Sequence, residues 1–153
     1  IADAVKGRNF LQYPVSVQDG IKLHRAIDFF TDQHPVVQKC NRLFAPAYGK
    51  YAGVVTDMVF DYYLASEWKI YSQHALPEFV NKINIILLQW FYLMPYKMQL
   101  IMPYWIKNRW PEIYSTKNGL FRALNGMPRY TSLPLKSEFT NIVRTTSAFK
   151  VNV

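Results

Sequence analysis

The sequence predicts an all-α fold, a compact single-domain helical bundle over residues 1–153. Apolar residues recur mostly at helical spacing, and no alternating run is long enough to make a sheet. Prolines, glycines and Asn-Gly pairs cut the chain into pieces of ordinary helix length. Composition supports a dense core: half the residues are apolar, and 11 Tyr, 10 Phe and 4 Trp exclude a disordered chain. A chain of 153 residues can bury one sizeable core but not two.

The first clear helix is expected to follow Asp19-Gly20, with Asp19 as its cap and Ile21, Leu23, Ile27 and Phe30 as its apolar stripe. Pro35 ends it and suits the first turn of a shorter helix reaching about Phe44. Ala45-Pro46 and Gly49 mark a break, and a strongly helical segment then runs from about Tyr51 to Trp68. Pro77 and Glu78 start a helix to Met94 with Phe79, Ile83, Ile86, Leu87 and Trp90 as its apolar stripe. Pro95 and Pro103 bracket or kink the next segment, where Tyr104-Trp105 reads as core. Trp110-Pro111 and Asn118-Gly119 punctuate the stretch beyond it. Asn125-Gly126 closes a short helix, and Leu133-Pro134 opens a last one. The sum is a bundle of roughly six to eight helices.

The net charge of +8, from 18 Lys and Arg against 10 Asp and Glu, implies a polyanion, an acidic protein or an anionic membrane surface as partner. It does not choose among them. The single Cys40 cannot form an internal disulfide, which fits a reducing, cytoplasmic setting. The most apolar stretch, Ile85 to Tyr96, is too short to span a bilayer, so no transmembrane helix is expected. The chain opens on Ile1 rather than Met, and its native N-terminus is expected to be missing. There is no glycine-rich phosphate loop, no Gly-x-Ser-x-Gly and no paired CxxC, which disfavours P-loop nucleotide sites, serine hydrolases and zinc ribbons.

All six aspartates, Asp3, Asp19, Asp28, Asp32, Asp57 and Asp61, fall in the first 61 residues, whereas the four Glu come later. His24 and Asp28 are four apart and share a helix face, and Asp32 extends that line by a turn. Asp57 and Asp61 repeat the spacing among the apolar Val54, Met58, Phe60 and Leu64, which places at least one carboxylate near the core. Clustered carboxylates repel one another and lose hydration, and a cation compensates both costs. A hard divalent ion such as Mn²⁺ or Mg²⁺ accepts carboxylate oxygen with imidazole nitrogen, acidifies water and neutralises phosphoryl charge. Taken alone the two pairs leave a metal site at no better than even odds, since a His four residues from an Asp is more often a hydrogen-bonded or surface pair. Asp32 has a solvated reading, and His34 and His74 read as surface residues. Lys6, Arg8 and Arg25 lie near the cluster in sequence and could hold phosphate oxygens, Arg25 with most reason because it adjoins His24.

At these residues the sequence resembles the acyl carrier protein phosphodiesterase family, a divergent HD-type branch of the metal-dependent phosphohydrolases. The matching stretches are Ala2-Asp3-Ala4-Val5-Lys6-Gly7, then Gly20 to Asp28 with Thr31-Asp32. They continue with Asp57-Met58-Val59-Phe60-Asp61, Leu64-Ala65, Trp68 and Leu124-Asn125-Gly126-Met127. The resemblance implies an HD-like fold and hydrolysis of the phosphodiester joining 4′-phosphopantetheine to a serine of acyl carrier protein, with Mn²⁺ or a similar ion. It implies a metal set of His24, Asp28 and one or both of Asp57 and Asp61, with Asp3 close by. Arg25 and Arg8 become candidate phosphate contacts, and Asp32 or Asp61 a carboxylate that orients water. The implied partner is an acidic helical protein rather than a nucleic acid, and the basic charge suits steering toward it. This chain departs from the family in lacking an Asn-Phe-Leu-Ala-His-like start, in carrying Tyr62 where many members have His, and in showing no long helix after Phe139. Two other readings stand beside it: an HD-like hydrolase of a nucleotide or small phosphodiester, and a non-catalytic basic module that binds an acidic protein or membrane.

Overall fold

Among the described residues, helices appear where the spacing of apolar residues predicts them, and their ends explain most of the differences. The structure is a computed structural model, and it describes residues 2–126. Its α-helices are α1 (Val15–Gln33), α2 (Pro35–Tyr48), α3 (Ala52–Ser66), α4 (Trp68–Tyr71), α5 (Leu76–Gln89), α6 (Tyr96–Lys107), α7 (Trp110–Ile113) and α8 (Lys117–Gly126). Short 3-10 turns cover Ala2–Ala4, Gly7–Gln12, Gly49–Tyr51 and Phe91–Leu93. Among the described residues there is no strand, so the fold is all-α. No described helix is long and apolar enough to cross a membrane. The expected last helix at Leu133-Pro134, and the sequence around Met127 and Phe139, lie outside the described residues.

The first helix starts four residues before Asp19, because Pro14 sets an extended entry and cannot itself continue a helix. Asp19 is therefore not a cap: it sits inside α1, paired with Lys22 at 3.1 Å. His34 and Pro35 separate α1 from α2, and the His34 Nδ1 accepts the Val36 N–H at 3.3 Å, capping α2. Pro46 removes one N–H from α2 but does not break it; it falls in the last turn, and the helix ends two residues later at Tyr48. Gly49, at φ 53, then turns the chain. Pro103 likewise lies within α6.

The main core joins α2, α3 and α8. Cys40, Phe44 and Tyr48 of α2 meet Ala52, Val55, Met58 and Val59, and Leu120 and Leu124 close over them. A satellite cluster of Ala2, Val5 and Ile21, flanked by Phe10, Tyr13 and Val17, holds the N-terminal turns against α1. Of the expected α1 stripe only Ile21 is buried, whereas Leu23, Ile27 and Phe30 face outward. The buried side of α5 centres on Val80 rather than on Phe79, Ile86 and Trp90, which are exposed. Tyr104 is also exposed and not core, while Trp105 is half-buried. Arg109 holds a left-handed φ of 48, compensated by bonds to both carboxylate oxygens of Glu112, to Asn81 Oδ1 at 2.7 Å and to the Pro77 carbonyl at 3.2 Å. That network fastens α7 to the start of α5.

Candidate metal centre

The satellite cluster matters because it carries Asp3 to α1. Burial of Ala2 and Val5 against Ile21 fixes the first turn of the chain. Arg25 completes the attachment, its guanidinium donating to the Val5 carbonyl at 2.7 Å and to the Gly7 carbonyl at 3.0 Å. The ring of Phe10 lies 5.3 Å from that guanidinium. Gly7 adopts φ 54, which glycine accepts without strain, and the chain turns there.

His24 and Asp28 share one face of α1, as their spacing predicts, with Nδ1 2.8 Å from an Asp28 oxygen. The other ring nitrogen, Nε2, lies 3.8 Å from an Asp3 oxygen. One donor atom from each of Asp3, His24 and Asp28 falls within 4.8 Å of the others. His24 Nδ1 is shut off from solvent and has no hydrogen bond of sound geometry, the short approach to Asp28 notwithstanding. The His24 ring lies between two carboxylates, Nδ1 toward Asp28 and Nε2 toward Asp3, and one imidazole nitrogen grouped with two carboxylate oxygens is a donor set that fits a small divalent cation. Beside it opens a cavity of about 250 Å³ lined by Asp3, Lys6, Gly7, His24, Arg25 and Asp28.

The second helix contributes through its field. Partial burial first, and then repulsion from Asp61, Asp32, Asp28 and Asp3, push the Asp57 carboxyl up to about 6. Acids from α1, α3 and the N-terminal turn therefore act on one region. Asp57 and Asp61 nevertheless lie outside the trio whose donor atoms converge. Burial also raises Asp61, which lines a separate cavity of about 330 Å³ with Trp68, Phe79, Trp105, Trp110 and Tyr114. Asp32 is exposed and reaches the centre only through the field on Asp57. Arg8 is exposed on its 3-10 turn and is not among the residues lining the first cavity, whereas Arg25 and Lys6 are. His34 and His74 are at the surface, as their sequence context suggests. Spacing alone could not give the position of Asp3 or the anchoring of its turn by Arg25. The glycine at position 7, with an Arg further on in α1, was the available signal.

An all-α scaffold that gathers one His and two Asp from separate elements beside a cavity bearing Lys6 and Arg25 defines a class of candidate phosphoryl-handling proteins. The profile of the acyl carrier protein phosphodiesterase family matches residues 1–152, and the chain belongs to that family. A protein of Photorhabdus laumondii named acyl carrier protein phosphodiesterase is 30% identical over 130 residues, covering 84% of this chain and 66% of its own length. One of the same name from Enterobacter sp. strain 638 is 32% identical over 128 residues, 83% of this chain and 66% of that one. Another, from Serratia proteamaculans, is 30% identical over 138 residues, 87% and 72% respectively. The chain thus spans 66% of the length of the first two of these relatives. No solved structure matches it significantly.

Proposed function

We propose that this chain carries the catalytic centre of a phosphodiesterase that hydrolyses the link between 4′-phosphopantetheine and the serine of holo acyl carrier protein, releasing apo carrier protein. The convergence of Asp3, His24 and Asp28 beside a cavity bearing Arg25 and Lys6 carries this reading. Family membership and the names of the relatives support it. Asp3, His24 and Asp28 would hold a divalent ion, Mn²⁺ before Mg²⁺, with Asp57 and Asp61 completing the acidic set from α3. When bound, the ion supplies Lewis acidity, acidifying water and neutralising the charge that builds on a phosphoryl oxygen.

The chain's own groups do the rest. Arg25 spends two of its five N–H donors on the Val5 and Gly7 carbonyls, and the remainder suit it to anion binding with Lys6. Arg8, exposed on the turn that begins at Gly7, adds to the positive field an approaching phosphodiester meets. Asp57, pushed up to about 6, is ionised in most molecules at neutral pH and is a better proton acceptor than an ordinary aspartate. Asp32 and Asp61 assist at a distance, their charges holding the Asp57 carboxyl up as a proton acceptor. Water adds to phosphorus, and the serine oxygen departs with a proton. The excess of 8 positive charges steers an acidic carrier protein toward the centre. An HD-like arrangement, a cytoplasmic setting and a place in fatty acid biosynthesis belong to the same reading.

Replacing His24 or Asp28 with Ala tests it: phosphopantetheine release is expected to disappear while the helical circular dichroism is unchanged. Full activity in both variants would sink the assignment.

A further inference from the structure

From Phe79 to Pro111 the chain has no acidic residue but four cations, Lys82, Lys97, Lys107 and Arg109. Arg109 is committed to Glu112, whereas none of the three lysines is ion-paired within the described residues. This basic stretch also exposes large apolar side chains. Tyr92 is 89% exposed, Tyr96 72%, Leu100 64% and Tyr104 57%. They are not scattered. On α6 the exposed positions Lys97, Leu100, Ile101, Tyr104 and Lys107 follow helical spacing along one side, and Met102 fills the buried side. The stripe is about 15 Å long between its two lysines. Scattered exposed apolar residues need no explanation, but an ordered stripe bounded by cations marks an interaction surface.

We propose that α6 and the turn before it lie on an anionic lipid surface, with Leu100, Tyr92, Tyr96 and Tyr104 at the headgroup boundary and Lys97 and Lys107 against the headgroups. Charge complementarity selects an anionic occupant, because the stretch offers cations and no acid. The side-chain types select a bilayer over an acidic protein. Tyrosine seats its ring among lipid headgroups with its hydroxyl toward water, and lysines at both ends of the stripe snorkel to the phosphates. The helix lies on the bilayer and does not cross it, in keeping with the absence of a spanning helix among the described residues.

Sedimentation of the whole chain with vesicles of phosphatidylglycerol and phosphatidylcholine tests this, with pure phosphatidylcholine vesicles alongside. Binding is expected on the anionic vesicles only, falling as salt rises. Replacing both Lys97 and Lys107 with Ala is expected to weaken it roughly 30-fold. Leu100→Gln with Tyr104→Gln is expected to abolish it, while Val15→Gln, at an equally exposed site on α1, leaves it unchanged. Circular dichroism verifies that each variant keeps its helices. Three results overturn the proposal: no binding to anionic vesicles, equal binding to neutral ones, or full binding by the α6 variants. Self-association or capture of an acidic protein that is lost in those variants, without vesicle binding, assigns the stripe to protein contact instead.

Discussion

Replacing Asp57 with Asn removes a carboxyl that burial and the charges of Asp61, Asp32, Asp28 and Asp3 push up to about 6. Because that value lies above the ordinary 3.8, the ion-free fold holds the proton more tightly than the unfolded chain does. The associated stability is full below 3.8 and is lost as the pH rises through about 6. Felt in full, a displacement of that size would cost the fold about 3 kcal/mol at pH 7. Asp57 keeps contact with solvent, so screening reduces the cost to about 1 kcal/mol. Asn has the same shape and no charge. In metal-free buffer at pH 7 the variant is therefore expected to be more stable by about 1 kcal/mol, a rise in Tm of about 2–4 °C. At pH below 3.8 the two proteins should melt together. Thermal melts by circular dichroism across this range, with chelator present, give both numbers. No gain at pH 7, or a gain that persists unchanged in acid, refutes the view that Asp57 sits in a field of uncompensated acids.

The remaining predictions concern the supports of the site and the packing beneath it. Mn²⁺ at about 100 times its Kd should stabilise the wild type by about 3 kcal/mol, and His24→Ala should lose most of that gain in calorimetry. Arg25→Gln cuts the bonds to the Val5 and Gly7 carbonyls that hold the Asp3 turn. It is expected to weaken Mn²⁺ binding about tenfold by isothermal titration, because Asp3 is no longer held in place. Gly119→Ala puts a Cβ into the carbonyl oxygen of Ile113 and 2.6 Å from its carbonyl carbon. Backbone cannot yield as a side chain can, so a loss of about 2 kcal/mol or more is expected in urea melts, despite the better helix propensity of Ala.

The helical class and most segment positions were legible because apolar spacing and proline placement act locally. Pro35 opens α2 and Pro77 lies in the first turn of α5, as the chemistry of proline requires. The errors came where tertiary context or position in the helix outweighed a local rule. Pro14, not Asp19, sets the start of α1, and Pro46 is tolerated because only a last turn is at stake. The α1 stripe misled because periodicity gives a face and not its partner: Ile21 meets the N-terminal turns while Leu23, Ile27 and Phe30 do not. At the candidate centre, the His24–Asp28 pair was readable from its spacing of four. Asp3 entered only through the family resemblance, since its approach depends on a satellite cluster and an Arg25 clamp made across 18 and 20 residues. Asp61 shows the reverse limit, because sharing a helix with Asp57 did not keep it from lining another cavity.

A chain that releases phosphopantetheine with the help of a divalent ion must leave apo carrier protein behind. Mass spectrometry can detect that product after holo acyl carrier protein is incubated with the whole chain, with Mn²⁺ or with chelator, beside a panel of nucleotides. Conversion of holo to apo carrier protein is expected with Mn²⁺, none with chelator, and no turnover of the nucleotides. Holo carrier protein left intact in Mn²⁺ while a nucleotide is hydrolysed would contradict the proposed activity.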